Sequence, residues 1–85
     1  MYATYIIDSA SLDRFYTGIT DDPDRRITEH RSGHSLWTAR ASDWDYVYLR
    51  LHPSRAEAMK LEKMIKRAKS RRSIQRFVDS PDNAL

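Results

Sequence analysis

Three stretches of the chain carry apolar residues at strand-like spacing, and three others repeat at helical spacing. Tyr2, Thr4 and Ile6 alternate with Ala3, Tyr5 and Ile7, and both sets carry apolar bulk. That is the pattern of a strand covered on two faces. Asp8-Ser9-Ala10-Ser11-Leu12-Asp13 is a polar connection, after which Arg14 to Thr20 returns as an aromatic and β-branched second strand. A loop of this length predicts an antiparallel hairpin, which brings Tyr5 and Tyr16 near each other. From Asp45 to Leu51, Tyr46, Tyr48 and Arg50 alternate with Val47, Leu49 and Leu51 and mark a third strand.

Between the second and third strands, Asp21-Asp22-Pro23 stops one element and starts another. Asp22 can cap free backbone N–H groups, and Pro23 suits a first helical position. The helix is expected over Pro23 to Ser32, with Ile27 as its one apolar anchor and Gly33 as a left-handed stop. Gly33 to Trp44 lacks a period and reads as a loop, in which Trp37 either plugs the core or stacks on a base; the plug is the ordinary reading. Pro53 and Ser54 open a second helix with the capping box Ser54-Arg55-Ala56-Glu57, and Ala58, Leu61, Ile65 and Ala68 form its core stripe. Ser70 to Val78 is a short third helix whose Ile74, Phe77 and Val78 close the core. These elements make one α/β domain over residues 1–79: a small sandwich with a three-stranded mixed or antiparallel sheet flanked by helices. Residues 80–85 are expected to be a frayed, flexible tail.

Composition narrows the class. Eighty-five residues allow one modest core and little more. Without cysteine there is neither a disulfide frame nor a thiolate metal site, which fits a reducing, cytoplasmic setting. No apolar run is long enough to span a membrane, and the N-terminus has no signal-like pattern. The net charge is only +3, yet Lys60, Lys63, Lys66, Arg67, Lys69, Arg71, Arg72 and Arg76 crowd residues 60–76 beside a single acid, Glu62. A one-ended basic block suits a polyanion, most simply nucleic acid; the plain alternative is a solvated helix face.

One constellation carries chemistry. Arg26 and His30 are four apart and share a helical face, while Arg25 points elsewhere, as a solvated or phosphate-steering charge. Helix, strand and hairpin together gather a phenol, a guanidinium and an imidazole, groups suited to phosphate chemistry. Glu62 sits at the edge of the apolar stripe of its helix, where a carboxylate needs a cation; Lys66 one turn on is the simple partner.

Tyr16-Thr17-Gly18 followed by Arg26 and His30, with Ala3-Thr4-Tyr5 upstream and Glu62 on a later helix, resembles the signature of the GIY-YIG nucleases. The resemblance spans roughly residues 2 to 77 and looks closest to small, stand-alone bacterial members. Ala3-Thr4 replaces Gly-Ile before Tyr5, Thr17 replaces a common isoleucine, and a proline often present near Asp43 is missing. The resemblance implies a metal-dependent endonuclease acting on DNA more readily than RNA. Branched, damaged or single-stranded forms are its candidate substrates, and a partner protein could direct it. The resemblance also implies catalytic places for Tyr5, Tyr16, Arg26, His30 and Glu62, the last holding one Mg²⁺ or Mn²⁺ ion. Tyr5 is expected as the base, with His30 assisting. Arg25, His34, Arg40, Lys63, Lys66, Arg67, Lys69, Arg71 and Arg72 are the expected nucleic-acid contacts. The competing reading is a binding module with the same fold and little activity, held to nucleic acid by its basic helices.

Overall fold

A computed structural model describes residues 1–85. Strand β1 (Tyr2–Ser9) leads by a short loop into β2 (Arg14–Thr20), followed by α1 (Pro23–Arg31), β3 (Asp45–His52), α2 (Arg55–Lys66) and α3 (Arg71–Val78). The sheet order is β2-β1-β3, and both pairings are antiparallel. The doubly apolar strand read from the sequence is therefore the central one, with a neighbour on each side and cover on each face.

The pleat sorts side chains into two cores. Tyr5 and Ile7 meet Ile27 and Trp44 on the α1 face, with Tyr16, Tyr46 and Leu49 packed around them. Ile6 and Tyr48 meet Leu61 and Ile65 of α2 on the other face, closed by Phe15, Ile74, Phe77 and Val78. Full burial of each such aliphatic side chain is worth roughly 1.5–3 kcal/mol. Ala58, Leu61 and Ile65 of α2 and the closing residues of α3 thus fall where the periodicity puts them, whereas Ala68 lies beyond the end of α2 and is only partly buried.

Helix ends follow their capping chemistry. Asp22 accepts from the Arg25 N–H at 3.1 Å, with Pro23 beside it in the first turn. The helix stops at Arg31, one residue before the expected Ser32, which caps it; Gly33 then takes φ +78°, and the His34 N–H reaches back to the Glu29 carbonyl. Ser54 and Ser70 cap α2 and α3 in the same way, accepting from the N–H groups of Glu57 and Ser73.

Thr4, which departs from the resembled signature, joins the sheet to α2. Its hydroxyl donates to the Ala58 carbonyl at 2.9 Å and lies 3.0 Å from His52 Nε2. The single hydroxyl proton goes to Ala58, so His52 donates its Nε2–H. This tie fixes the start of α2, one turn before Glu62. Ala3 is buried in ordinary extended backbone, so the missing glycine costs no strain there.

The last residues do not hang free as the sequence reading expected. Asn83 donates from Nδ2 to the carbonyls of Val47 and Val78 and accepts the Leu49 N–H on Oδ1. The Ala84 N–H donates to the Leu49 carbonyl, and Asp82 pairs with Arg50 at 2.7 Å. The exposed edge of β3 is covered by this segment, a protection edge strands generally need.

Candidate active site

The site is built where β1, β2 and α1 converge. The hairpin register sets Tyr5 opposite Gly18 and Ile7 opposite Tyr16, so both tyrosines face α1. Gly18 is required here: a Cβ at this position would lie 2.5 Å from the Tyr5 hydroxyl oxygen and 2.7 Å from Cζ. With no side chain in the way, the Tyr5 ring lies across β2 and its hydroxyl reaches α1.

There it meets the two residues one turn apart. The Tyr5 hydroxyl is 2.7 Å from His30 Nε2, and Arg26 donates its Nε–H to the same oxygen at 3.3 Å. His30 Nδ1 lies 2.6 Å from the Thr38 hydroxyl, and the backbone carbonyl of Thr38 accepts the Trp44 indole N–H at 2.8 Å. One tautomer satisfies the chain in a single direction: Tyr5 donates to Nε2, Nδ1–H donates to Thr38, and Thr38 can donate to the Ser35 carbonyl. The Tyr16 ring packs edge-on to the imidazole, with centroids 5.3 Å apart.

Electrostatics separate the roles. Burial, helped by the neighbouring Arg26 charge and opposed by Glu29, pushes the His30 pKa down to about 4, so the imidazole is neutral at pH 7. Burial likewise pushes the Tyr5 phenol up to about 12, the opposing effect of Arg26 notwithstanding. This phenol is 1% exposed and engaged on both sides, so in the chain alone it stays protonated at pH 7. Tyr16 is only half-buried and opens toward solvent beside the same imidazole. Arg26 is held by Tyr5 through Nε and by Glu29 through Nη1 at 3.1 Å, which leaves Nη2 without a protein partner. It lines a shallow cleft together with Arg25, Glu29 and Arg55.

Glu62 approaches from α2. Its carboxylate pairs with Lys66 at 3.2 Å, as the simple reading anticipates, while lying close enough to Tyr5 for its charge to raise that phenol further. No group of three His, Cys, Asp or Glu side chains gathers anywhere in the molecule, so a cage made wholly of protein ligands is absent. A single, partly shielded carboxylate does fit a hard ion that keeps most of its shell as water and phosphate oxygen.

In this setting the sequence comparison is decisive. Residues 1–75 match the model of the GIY-YIG catalytic domain. The chain belongs to the GIY-YIG family. This GIY-YIG domain also resembles a solved structure, a UPF0213 protein from Bacillus halodurans determined by solution NMR, at 32% identity and a TM-score of 0.59. The match covers 99% of this chain and 89% of that one. No curated protein matches significantly. Family membership implies nuclease chemistry and a nucleic-acid substrate.

The remaining expected contacts fall into two groups. Arg25 pairs with Asp21 at 2.7 Å, and Arg71 pairs with Asp8 and Asp13 while its guanidinium stacks 4.0 Å from the Phe15 ring centroid. Together with Lys66, these side chains are engaged within the molecule. Lys63, Arg67, Lys69 and Arg72 are exposed and make no ion pair, and His34 and Arg40 project from the loop after α1. Sequence reasoning missed Thr38, Glu29 and Arg55. Glu29 had a detectable signal, three residues after Arg26 on one helix; Thr38, eight residues beyond His30 in an aperiodic loop, had none. Trp37 is also misplaced by the ordinary reading: it is 68% exposed, whereas Trp44 at 3% is the core plug.

Proposed function

We propose that this GIY-YIG domain is a divalent-metal-dependent endonuclease that hydrolyses phosphodiester bonds of DNA and selects substrates by their shape. The observation that supports it is the orientation of Arg26. Two of its donor nitrogens are fixed by Tyr5 and Glu29, so the remaining Nη2 is presented without reorganisation to a phosphoryl oxygen. Tyr5 and His30 position the guanidinium, and Thr38 sets the imidazole tautomer. Tyr16, the accessible phenol, orients the attacking water, while His30, with both ring nitrogens engaged, serves to hold Tyr5 in place. Glu62 would hold one Mg²⁺ or Mn²⁺ ion, releasing Lys66 as it does so. When bound, such an ion neutralises charge on the phosphoryl oxygens and lowers the pKa of coordinated water.

A panel of duplex, nicked, branched and single-stranded DNA, with RNA alongside, tests the reading. Cuts in Mg²⁺ or Mn²⁺ that vanish in chelator are expected; binding without cuts under every metal condition would overturn it. That second outcome belongs to the alternative of a weakly active binding module. The observation that favours the alternative is the run of unpaired cations Lys63, Lys69, Arg67 and Arg72. It predicts binding that survives both Arg26→Ala and Glu62→Ala.

A further inference from the structure

A cavity of about 230 Å³ opens on Tyr16 and Thr38, and its other lining residues have no part in the chemistry described above. Phe15, Tyr16, Trp37 and Trp44 supply aromatic walls, and Arg14 and Arg40 stand at its rim. None of its lining residues is acidic. Neither arginine makes an ion pair within the molecule. The Arg40 guanidinium instead lies 5.4 Å from the centroid of the Trp37 ring. Trp37 nevertheless leaves most of its surface in water, an unfavourable arrangement for a large aromatic.

We infer that this cavity is a subsite for one unpaired nucleobase next to the scissile phosphate, with Trp37 as the stacking platform and Arg14 and Arg40 bracketing the adjoining phosphates. The inference rests on the nuclease reading for its placement, and narrows the substrate to DNA that is single-stranded or frayed at the cut. The volume falls below the roughly 300–1,000 Å³ of clefts that take drug-sized ligands, so it suits one ring system rather than a nucleotide with its phosphate chain. A flat aromatic face with flanking cations is how single strands are held without reading sequence. A fully paired base cannot enter, because its face is already stacked. The subsite is also coupled to the site: Thr38 lines the cavity and bonds His30, and its carbonyl holds Trp44. A base seated on this wall therefore bears on the residue that fixes the imidazole.

The test measures binding in chelator, so that cleavage plays no part. A short single-stranded oligodeoxynucleotide carrying 2-aminopurine, the same strand with abasic positions, and a blunt duplex are titrated against wild type, Trp37→Ala, Trp37→Phe and Arg40→Ala. Expected are quenching of 2-aminopurine by wild type, roughly ten-fold weaker single-strand binding by Trp37→Ala, and partial recovery in Trp37→Phe. Duplex affinity should stay within about two-fold, since the substitution removes one exposed side chain off the duplex path. Equal affinity for the abasic strand, or equal losses on single strand and duplex, would overturn the subsite. The two readings fail separately: metal-dependent duplex cleavage with no Trp37 effect on single strands removes the subsite alone. Trp37-dependent quenching with no cleavage in any metal removes the nuclease reading and leaves the subsite standing.

Discussion

Gly18 and Tyr5 form a pair in which one residue's absence of a side chain permits the other's reach. Gly18→Ala puts a methyl group against the Tyr5 ring, which is buried and cannot swing away. Overpacking of this kind costs about 1–3 kcal/mol, and here it also displaces the hydroxyl that holds Arg26 and His30. The expected outcome is a lower melting temperature together with abolished cleavage; unchanged values in both would show that the ring has room. His30 carries a second consequence at this scale. Its pKa falls from the ordinary 6.5 to about 4 in the folded chain, so the unfolded chain binds the extra proton first as pH drops. The associated stability is fully present above about pH 6.5 and is lost as pH falls toward 4, amounting to roughly 3 kcal/mol. Denaturant unfolding between pH 7.5 and 4 should show that slope in wild type and a shallower one in His30→Gln. An identical slope in both would assign the acid sensitivity to other groups. Glu62 was named by the family resemblance alone, but the convergence of Tyr5, Tyr16, Arg26 and His30 was readable in the sequence because hairpin and helical spacing bring them together. Which tyrosine meets solvent was not, since burial depends on what β2 and α1 lay over each ring.

At the scale of elements, the three strands and three helices were legible because alternation, capping and turn residues all agree on their limits. The sequence left the sheet as mixed or antiparallel; the short β1–β2 loop and the return of β3 beside β1 make it wholly antiparallel. The C-terminal segment escaped detection for a physical reason. Asn83 bonds backbone groups of Val47, Leu49 and Val78, and backbone partners leave no mark in side-chain patterning. The two loop tryptophans were indistinguishable for a similar reason: only Trp44 finds the Thr38 carbonyl for its indole N–H. Ending the chain after Asp79 exposes the β3 edge and leaves the Leu49 N–H to solvent. That truncation should lower the melting temperature and raise light scattering at high concentration, as open edges pair between molecules. Asn83→Ala should reproduce part of both effects. If neither variant differs from wild type, the segment contributes nothing to the edge.

For the molecule as a whole, charge and size set the terms of DNA binding. Its longest dimension is 30 Å, about nine steps of DNA at 3.4 Å each, so it can lie on one face of a substrate but cannot encircle it. The basic block read from the sequence splits on folding: Lys66 and Arg71 pair at the surface with Glu62, Asp8 and Asp13, while Lys63, Arg67, Lys69 and Arg72 stay free of ion pairs. Affinity for DNA should therefore fall steeply with salt. Replacing Lys63 and Arg67 together by alanine should flatten the log–log slope by roughly one for each phosphate no longer neutralised. An unaltered slope would place the DNA on the α1 side alone. The central claim, that Arg26 is preset by Tyr5 and Glu29 to stabilise a reacting phosphoryl group, is tested most directly by single-turnover cleavage beside equilibrium binding for wild type and Arg26→Ala in Mg²⁺. Cleavage should fall on the order of 10²–10³-fold while affinity changes only a few-fold. Cleavage that persists at the wild-type rate, or falls only in proportion to binding, would contradict it.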